Sequence, residues 1–358
     1  MTDKKIVYAF TCGGTGGHVY PAIALAQAVQ ADPTDQSEVF FIGSTNRQDA
    51  QIIPKYGFSY FGLGLSSRSI WPLIKAFFKA RSILKKQGSQ ALIGAGGGYT
   101  AAVVCAAFSL RIPIFLLEQN VIPGRTNRYL QYLAKRIYLT FPESASFFSA
   151  RKARCVGNPV RRFFLEDPLF KALEKEILPV LPVILIFGGS QGAQALNQLI
   201  VDNYDYFLTR SYVAIHVTGE AYYQKHFQDR PYTVLKNEQN LIKVVVLPYF
   251  EKMDWLYKKA ALVICRAGAT TMSELIHFKK HAVLIPFPYA KDNHQVANAQ
   301  SFKDQGFGTY YEEKDLTFEK LIPHFHQGVS IHHSVLPAQA DASQTIIKDI
   351  YGILRPSH

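Results

Sequence analysis

Short runs of Val, Ile, Leu and Phe recur along the chain, at residues 5–11, 39–42, 91–93, 114–117, 183–187, 213–217, 244–247, 262–265 and 282–285. Their hydrophobicity is continuous rather than alternating, which predicts strands covered on both faces, as in a parallel sheet between helices. Helical stretches separate most of them, so the expected class is α/β with doubly wound parallel sheets. One opening occurs twice. The run at 5–11 leads into Gly13-Gly14-Thr15-Gly16-Gly17-His18, and Pro21 is expected to start a helix over 22–29. The run at 183–187 leads into Gly188-Gly189-Ser190-Gln191-Gly192-Ala193 and a helix over 194–200. This repetition predicts two Rossmann-like domains, 1–160 and 161–339, joined by a linker at about 160–180 that carries Pro179. A final helix within 340–358 follows a His-rich crossover and is expected to pack back on the first domain. Two such domains facing one another bind ligands at the carboxyl ends of their strands, in the cleft between them.

A length of 358 residues suits two domains, and a hydrophobic content of 48% supplies two cores. No run approaches the roughly 20 apolar residues of a spanning helix, since the most apolar stretch, 103–117, is broken by Arg111 and Pro113. The apolar run at 6–10 is too short for a signal-peptide core, so the chain is expected to be cytoplasmic. The four cysteines, Cys12, Cys105, Cys155 and Cys265, have no Cys-x-x-Cys spacing. They suit a reducing compartment and offer no zinc or disulfide framework. The formal charge of +12 calls for a polyanionic partner: nucleic acid, an anionic membrane or phosphorylated substrates.

The first glycine loop can bring backbone N–H groups at a helix N-terminus close to a diphosphate. No Gly-Lys-Ser/Thr follows, so it is not a P-loop. It also lacks Gly-x-Gly-x-x-Gly, and the second strand ends in Gly43-Ser44-Thr45 where an NAD site needs an acid. A tight turn serving only the fold is the plain alternative. His18 beside that loop is a candidate general base, or a structural histidine.

Together with these residues, an ordered set of motifs resembles the MurG transferases over about residues 5–300. Gly13 to His18 with Pro21-Ala22 is similar to their first signature. Glu118-Gln119-Asn120, Thr126-Asn127, Gly157-Asn158-Pro159-Val160-Arg161 and the second glycine loop with Asn197 follow in order. Arg266-Ala267-Gly268-Ala269-Thr270-Thr271-Met272-Ser273-Glu274 and Asp292-Asn293-His294-Gln295 with Asn298 complete the set. The resemblance implies a GT-B architecture and inverting transfer of N-acetylglucosamine from its UDP ester to a lipid-linked muramyl-pentapeptide. Thr15, Gly16 and Gly17 would line the site with Asn127 nearby. Arg161 and Ser190 would contact the donor diphosphate, with Gln191 beside them. Phe250 would offer its backbone to uracil, and Ala269 to Glu274 would hold uridine, with Glu274 accepting from both ribose hydroxyls. Gln295 would read the sugar hydroxyls, and His18 would take the acceptor's proton. There is no Asp-x-Asp motif, so no cofactor or metal is expected, and loop N–H groups, helix dipoles and Arg161 would stabilise UDP. Three departures stand out: an extra glycine in Gly94 to Thr100, His281 in place of proline, and Phe250 in place of a smaller aliphatic residue.

Residues 67–86 contain Arg68, Lys75, Lys79, Arg81, Lys85 and Lys86 and no acid. Ile70, Leu73, Ile74, Phe77 and Leu84 recur at helical spacing, flanked by Trp71 and Phe78. Such a helix suits an anionic bilayer surface, with Ile70, Trp71, Lys75, Phe78 and Lys79 as its contacts; it also suits ordinary packing on a sheet. No nucleic-acid motif is present. The resemblance adds cell-wall and division proteins as partners and the cytoplasmic face of the inner membrane as the location. The rival readings are another UDP-sugar enzyme of this fold, a 2-epimerase or glycolipid transferase, and a nucleotide-binding protein without transfer activity.

Overall fold

A computed structural model describes residues 5–13, 16–31, 37–64, 70–162, 168–176, 182–189, 193–228, 230–330 and 341–355. The chain divides into two compact units, Met1–Arg162 with Gln339–His358, and Phe163–Ala338.

The first unit begins with β1 (Val7–Thr11), α1 (Gly16–Gln30), β2 (Glu38–Gly43), α2 (Gln48–Lys55), β3 (Ser59–Gly62) and α3 (Ile70–Lys86). It continues with β4 (Ala91–Gly94), α4 (Thr100–Ser109), β5 (Ile114–Glu118), α5 (Arg125–Leu130), β6 (Arg136–Leu139) and β7 (Ala153–Cys155). The second unit opens with α6 (Pro168–Glu176), β8 (Val183–Phe187), α7 (Gln194–Val201), α8 (Tyr204–Leu208), β9 (Val213–Val217) and α9 (Glu220–Phe227). Then come β10 (Thr233–Lys236), β11 (Ile242–Leu247), α10 (Met253–Lys259), β12 (Ala260–Cys265) and α11 (Ala269–His277). It closes with β13 (Ala282–Leu284), α12 (His294–Asp304), β14 (Gly308–Tyr310) and α13 (Phe318–Ser330). The last helix, α14 (Ala342–Leu354), belongs to the first unit.

The first sheet runs β3-β2-β1-β4-β5-β6-β7, parallel throughout. The second runs β10-β11-β9-β8-β12-β13-β14, parallel except for the edge strand β10. In each, the strand order reverses beside the strand that carries the glycine loop, β1 or β8. Ligands of open α/β sheets bind at that switch point.

Burial on both faces explains the unbroken apolar runs. β5 and β8 are buried at every position. α1 is apolar on nearly every side because it touches α2 and α14 as well as the sheet. Helix α14 supplies Ile346 and Ile350 to the core that also holds Val19, Ile23 and Ala26 of α1. It starts at Asp341, whose carboxylate accepts from the N–H groups of Ser343 and Gln344, a cap worth about 1 kcal/mol.

Several expectations change. Helix α1 starts at Gly16, with Pro21 inside it as the sixth residue, where proline cannot donate to the Gly17 carbonyl. Part of the expected linker is helical: α6 buries Leu173 and sets Phe170 edge-on to Trp255. The division falls after Arg162 rather than after residue 160, because Arg161 and Arg162 are bonded to side chains of α1 and its neighbour. The crossover segment 331–340 and Pro179 lie outside the described residues.

Helix α3 departs most in its surface. Its buried stripe is Ala76, Ala80 and Leu84, which pack with residues of α4. Leu73 and Ile74, which ordinary packing on a sheet would have buried, are exposed together with Trp71 and Phe78 (70% and 63%). Small alanines let α3 lie close to α4, so the large apolar side chains are left outward. Lys75 and Lys79 are exposed on the same helix, and the side chain of Ile70 lies outside the described set.

Candidate active site

In the first unit the loops that follow β1 and β4 touch backbone to backbone. Gly13 N–H donates to the Gly96 carbonyl at 2.6 Å. A Cβ on Gly97 would fall 2.3 Å from Gly13 Cα, and Gly96 and Gly97 have φ of +92° and +94°. Gly96 and Gly97 are therefore required by backbone angle, and Gly97 also by contact with Gly13. Thr100 fixes the turn from the far side, its hydroxyl donating to the Gly96 carbonyl at 2.8 Å.

His18 lies in the first turn of α1, partly buried against this crossing. Its Nδ1 is 3.0 Å from Oε1 of Gln119, which follows β5. An amide oxygen can only accept, so Nδ1 carries the hydrogen and Nε2 keeps a lone pair. Burial lowers the pKa of the ring, partly offset by Gln119 and the Ala95 carbonyl. The imidazole is thus neutral near pH 7, the state a proton acceptor needs. A Cβ on Gly96 would sit 3.2 Å from the His18 ring and 3.6 Å from the Asn127 amide, so the structure gathers His18 and Asn127 about one glycine. Asn127 Nδ2 donates at 2.9 Å to both the Leu117 carbonyl and Glu118 Oε2. Its buried Oδ1 has no hydrogen-bond partner among the described residues. Glu118 also accepts from the N–H groups of Asn120 and Gly124; burial still raises its pKa against these bonds. Gly16 is buried and Gly17 exposed, while Thr15 lies outside the described residues.

Arg161, expected at the donor diphosphate, is nearly buried in the first unit. Its guanidinium stacks 3.7 Å from the ring centre of Tyr20 and donates to the Tyr56 hydroxyl at 2.8 Å. Next to it the Arg162 N–H donates to Gln27 Oε1 at 2.9 Å. After β2, Asp49 accepts from the N–H and hydroxyl of Ser44 and from the Tyr60 hydroxyl.

The second unit holds the other residues. Gly268 precedes α11, and Gly268, Thr270 and Thr271 are partly exposed at its opening. Ala269 and Met272 are buried. Ser273 donates its hydroxyl to the Ala269 carbonyl at 2.9 Å. Glu274 is nearly buried and accepts from the Tyr257 hydroxyl at 2.9 Å. Phe250 is buried after β11, its ring tilted against Trp255. Gln295 opens α12; its Oε1 accepts from Phe287 N–H at 2.9 Å, which turns the amide NH2 into its available donor. Arg266 is structural: it donates to the Ile285 and Pro286 carbonyls at 3.2 Å and pairs with Glu313. Asn197 donates to the Thr218 carbonyl and joins a buried chain with His216 and Tyr204. Ser190 and Gln191 lie outside the described residues.

Sequence reasoning assigned no role to Gln119, Tyr56 or Tyr257. Gln119 stood inside a quoted motif, but the two tyrosines are far in sequence from the residues they hold and carry no local signal. Among the described residues no three His, Cys, Asp or Glu side chains gather to hold a metal ion, and no helix is long and apolar enough to cross a membrane.

Two Rossmann-like units, each opening on a glycine-rich loop at its switch point, define the GT-B class of glycosyltransferase fold. The glycosyltransferase family 28 N-terminal domain matches residues 8–139, and the family 28 C-terminal domain matches residues 183–351. The chain is 34% identical over 368 residues to the UDP-N-acetylglucosamine–N-acetylmuramyl-(pentapeptide) pyrophosphoryl-undecaprenol N-acetylglucosamine transferase of Lawsonia intracellularis, covering 98% of each. It is 37% identical to the protein of the same name from Anaeromyxobacter sp. (strain K), covering 86% of this chain and 81% of that one. The crystal structure of Acinetobacter baumannii MurG superposes with a TM-score of 0.72 at 26% identity, over 97% of this chain and 99% of that one. The chain belongs to the MurG family of glycosyltransferases.

Proposed function

We propose that this chain transfers N-acetylglucosamine from UDP-N-acetylglucosamine to the C4 hydroxyl of undecaprenyl-pyrophosphoryl-N-acetylmuramyl-pentapeptide, the step that makes lipid II for peptidoglycan. The observation that carries the reading is the 34% identity with the Lawsonia transferase across 98% of both chains.

The chemistry is a direct displacement. The acceptor C4 oxygen bonds to C1 of the donor while the C1–O bond to the diphosphate breaks, and inversion gives a β-1,4 linkage. His18 Nε2 takes the hydroxyl proton, and Gln119 on Nδ1 holds the tautomer that makes this possible. UDP leaves with the electron pair. Its charge is stabilised by N–H groups of the second glycine loop and by the amino end of α11, with no metal or other cofactor. Glu274 accepts from the ribose hydroxyls, Phe250 and the opening of α11 offer backbone groups to uridine, and the Gln295 amide donates to the sugar.

The enzyme works as a peripheral protein on the cytoplasmic face of an anionic inner membrane, where its lipid acceptor lies. Trp71, Ile74 and Phe78 insert at the interface, and Lys75 and Lys79 add about 1 kcal/mol each beside anionic headgroups.

The test is a transfer assay with several UDP-sugars and a short-chain lipid-linked muramyl acceptor. UDP release from UDP-N-acetylglucosamine only when acceptor is present is the expected result. Acceptor-independent UDP release, or epimerisation at C2, overturns the assignment.

A further inference from the structure

Arg47 stands exposed in the turn between β2 and α2, and that turn is fixed from within the unit. Asp49 is fully buried, and its carboxylate accepts from the Ser44 N–H at 2.8 Å, the Ser44 hydroxyl at 2.6 Å and the Tyr60 hydroxyl at 2.8 Å. The Ser44 hydroxyl oxygen in turn accepts from the Arg47 N–H at 3.1 Å. A Cβ on Gly62 of β3 would fall 2.6 Å from Thr45 Cγ2, so the turn also lies hard against the neighbouring strand. Burying a carboxylate is unfavourable unless donors surround it. Here they do, and through Ser44 they hold the backbone that carries Arg47.

The side chain is placed as well. Its guanidinium lies 5.0 Å from the ring centre of Tyr99, which packs on the core between α3 and α4. Among the described residues no carboxylate or carbonyl accepts from that guanidinium. Strands β2 and β4 are the two neighbours of β1. An arginine from the turn after β2 that rests on a tyrosine after β4 therefore passes the carboxyl end of β1, where Gly13 meets Gly96 and the His18 ring lies against that glycine. A preset cation with unused donors stands beside the proposed base.

The acceptor of the proposed reaction has to bring its C4 hydroxyl to His18. Its diphosphate leaves C1 of the same sugar, and the stiff ring fixes the span between the two, whereas the carboxylates of the peptide hang on a flexible stem. The donor diphosphate is already assigned to groups of the second unit. A guanidinium offers a planar fork of donors that matches phosphate oxygens two at a time. One already held in place loses little freedom when the anion arrives. We propose that Arg47 binds the diphosphate of the lipid-linked acceptor and so sets the muramyl C4 hydroxyl before His18, an inference that rests on the reaction proposed above.

The experiment compares wild type, Arg47→Gln and Arg47→Lys in transfer with a short-chain lipid-linked muramyl acceptor, and in direct binding of that acceptor by calorimetry. Arg47→Gln should raise the acceptor KM and weaken acceptor binding at least about tenfold, the loss of a charge-assisted contact, with donor KM unchanged. Arg47→Lys, which keeps the charge and loses the fork, should fall between. Both should melt as wild type does, because the side chain is exposed. The same penalty should appear with an acceptor whose peptide carboxylates are amidated. An unchanged acceptor KM and affinity, a rise in donor KM instead, or a penalty that vanishes with the amidated peptide overturns the proposal. A wild-type chain that binds acceptor without transferring sugar fails the proposed reaction instead, and the binding comparison then decides the role of Arg47.

Discussion

The imidazole of His18 hands its Nδ1 hydrogen to Oε1 of Gln119 across 3.0 Å, which leaves Nε2 as the basic atom. A positioned base contributes about 10² to 10⁴ in rate. His18→Ala should therefore lower kcat at least about 100-fold with donor KM nearly unchanged. Because burial lowers the ring's pKa, the acidic limb of the kcat profile should lie below 6.5, with activity lost as pH falls through it. Gln119→Ala should lower kcat and shift that limb, whereas a merely structural glutamine would leave the limb in place. Persistence of the limb in His18→Ala assigns the proton to another group.

Glu274 is held by the Tyr257 hydroxyl rather than left to find its own rotamer. Glu274→Ala should weaken UDP-N-acetylglucosamine by roughly 1.5–3 kcal/mol, the usual cost of a lost charged hydrogen bond. Tyr257→Phe keeps the carboxylate and should cost less. Calorimetric donor affinity decides, and wild-type affinity in Glu274→Ala removes it from the ribose site.

Turnover should survive EDTA, because the departing diphosphate is proposed to be stabilised by N–H groups and a helix end. Activity lost on chelation and restored by magnesium or manganese contradicts this.

On α3, replacing Trp71, Phe78, Lys75 and Lys79 by Ser or Gln should reduce co-sedimentation with anionic liposomes. All four are exposed, so the melting temperature should stay native. Full sedimentation of a normally melting variant would place the membrane contact elsewhere.

His216 is buried between Tyr204 and Asn197, and burial pulls its pKa down to about 3. The unfolded chain binds this proton near 6.5, so the neutral ring's stabilisation is complete above that pH. It is lost as pH falls from about 6.5 towards 3, at up to about 1.4 kcal/mol per pH unit. Urea midpoints at pH 7 and pH 5 should differ more in wild type than in His216→Gln.

The central strands were legible because burial on both faces leaves an unbroken apolar run; the expected 183–187 and 213–217 coincide with β8 and β9. Of the strands that escaped, β3, β10 and β14 sit at sheet edges, are short and are buried only in part. Half-buried segments of three or four residues carry too little pattern to separate from loop. The same limit applied to the site. His18 and Glu274 stood in recognisable motifs, while Tyr257 and Tyr56 act through a tertiary contact that no spacing announces. Arg161 also stood in a motif, but the stacking of its guanidinium on Tyr20 carried no signal in the sequence.

Helix α14 closes a unit whose other strands and helices all precede Arg162, so the second unit is, in topology, an insertion into the first. On the ribosome the inserted unit has its whole sequence available while the first still lacks Ile346 and Ile350. Order of synthesis and order of completion are therefore reversed: the half made first is finished last. A nascent chain stopped before residue 341 should carry a folded second unit and a first unit with an open apolar face along α1, a natural target for chaperones during translation.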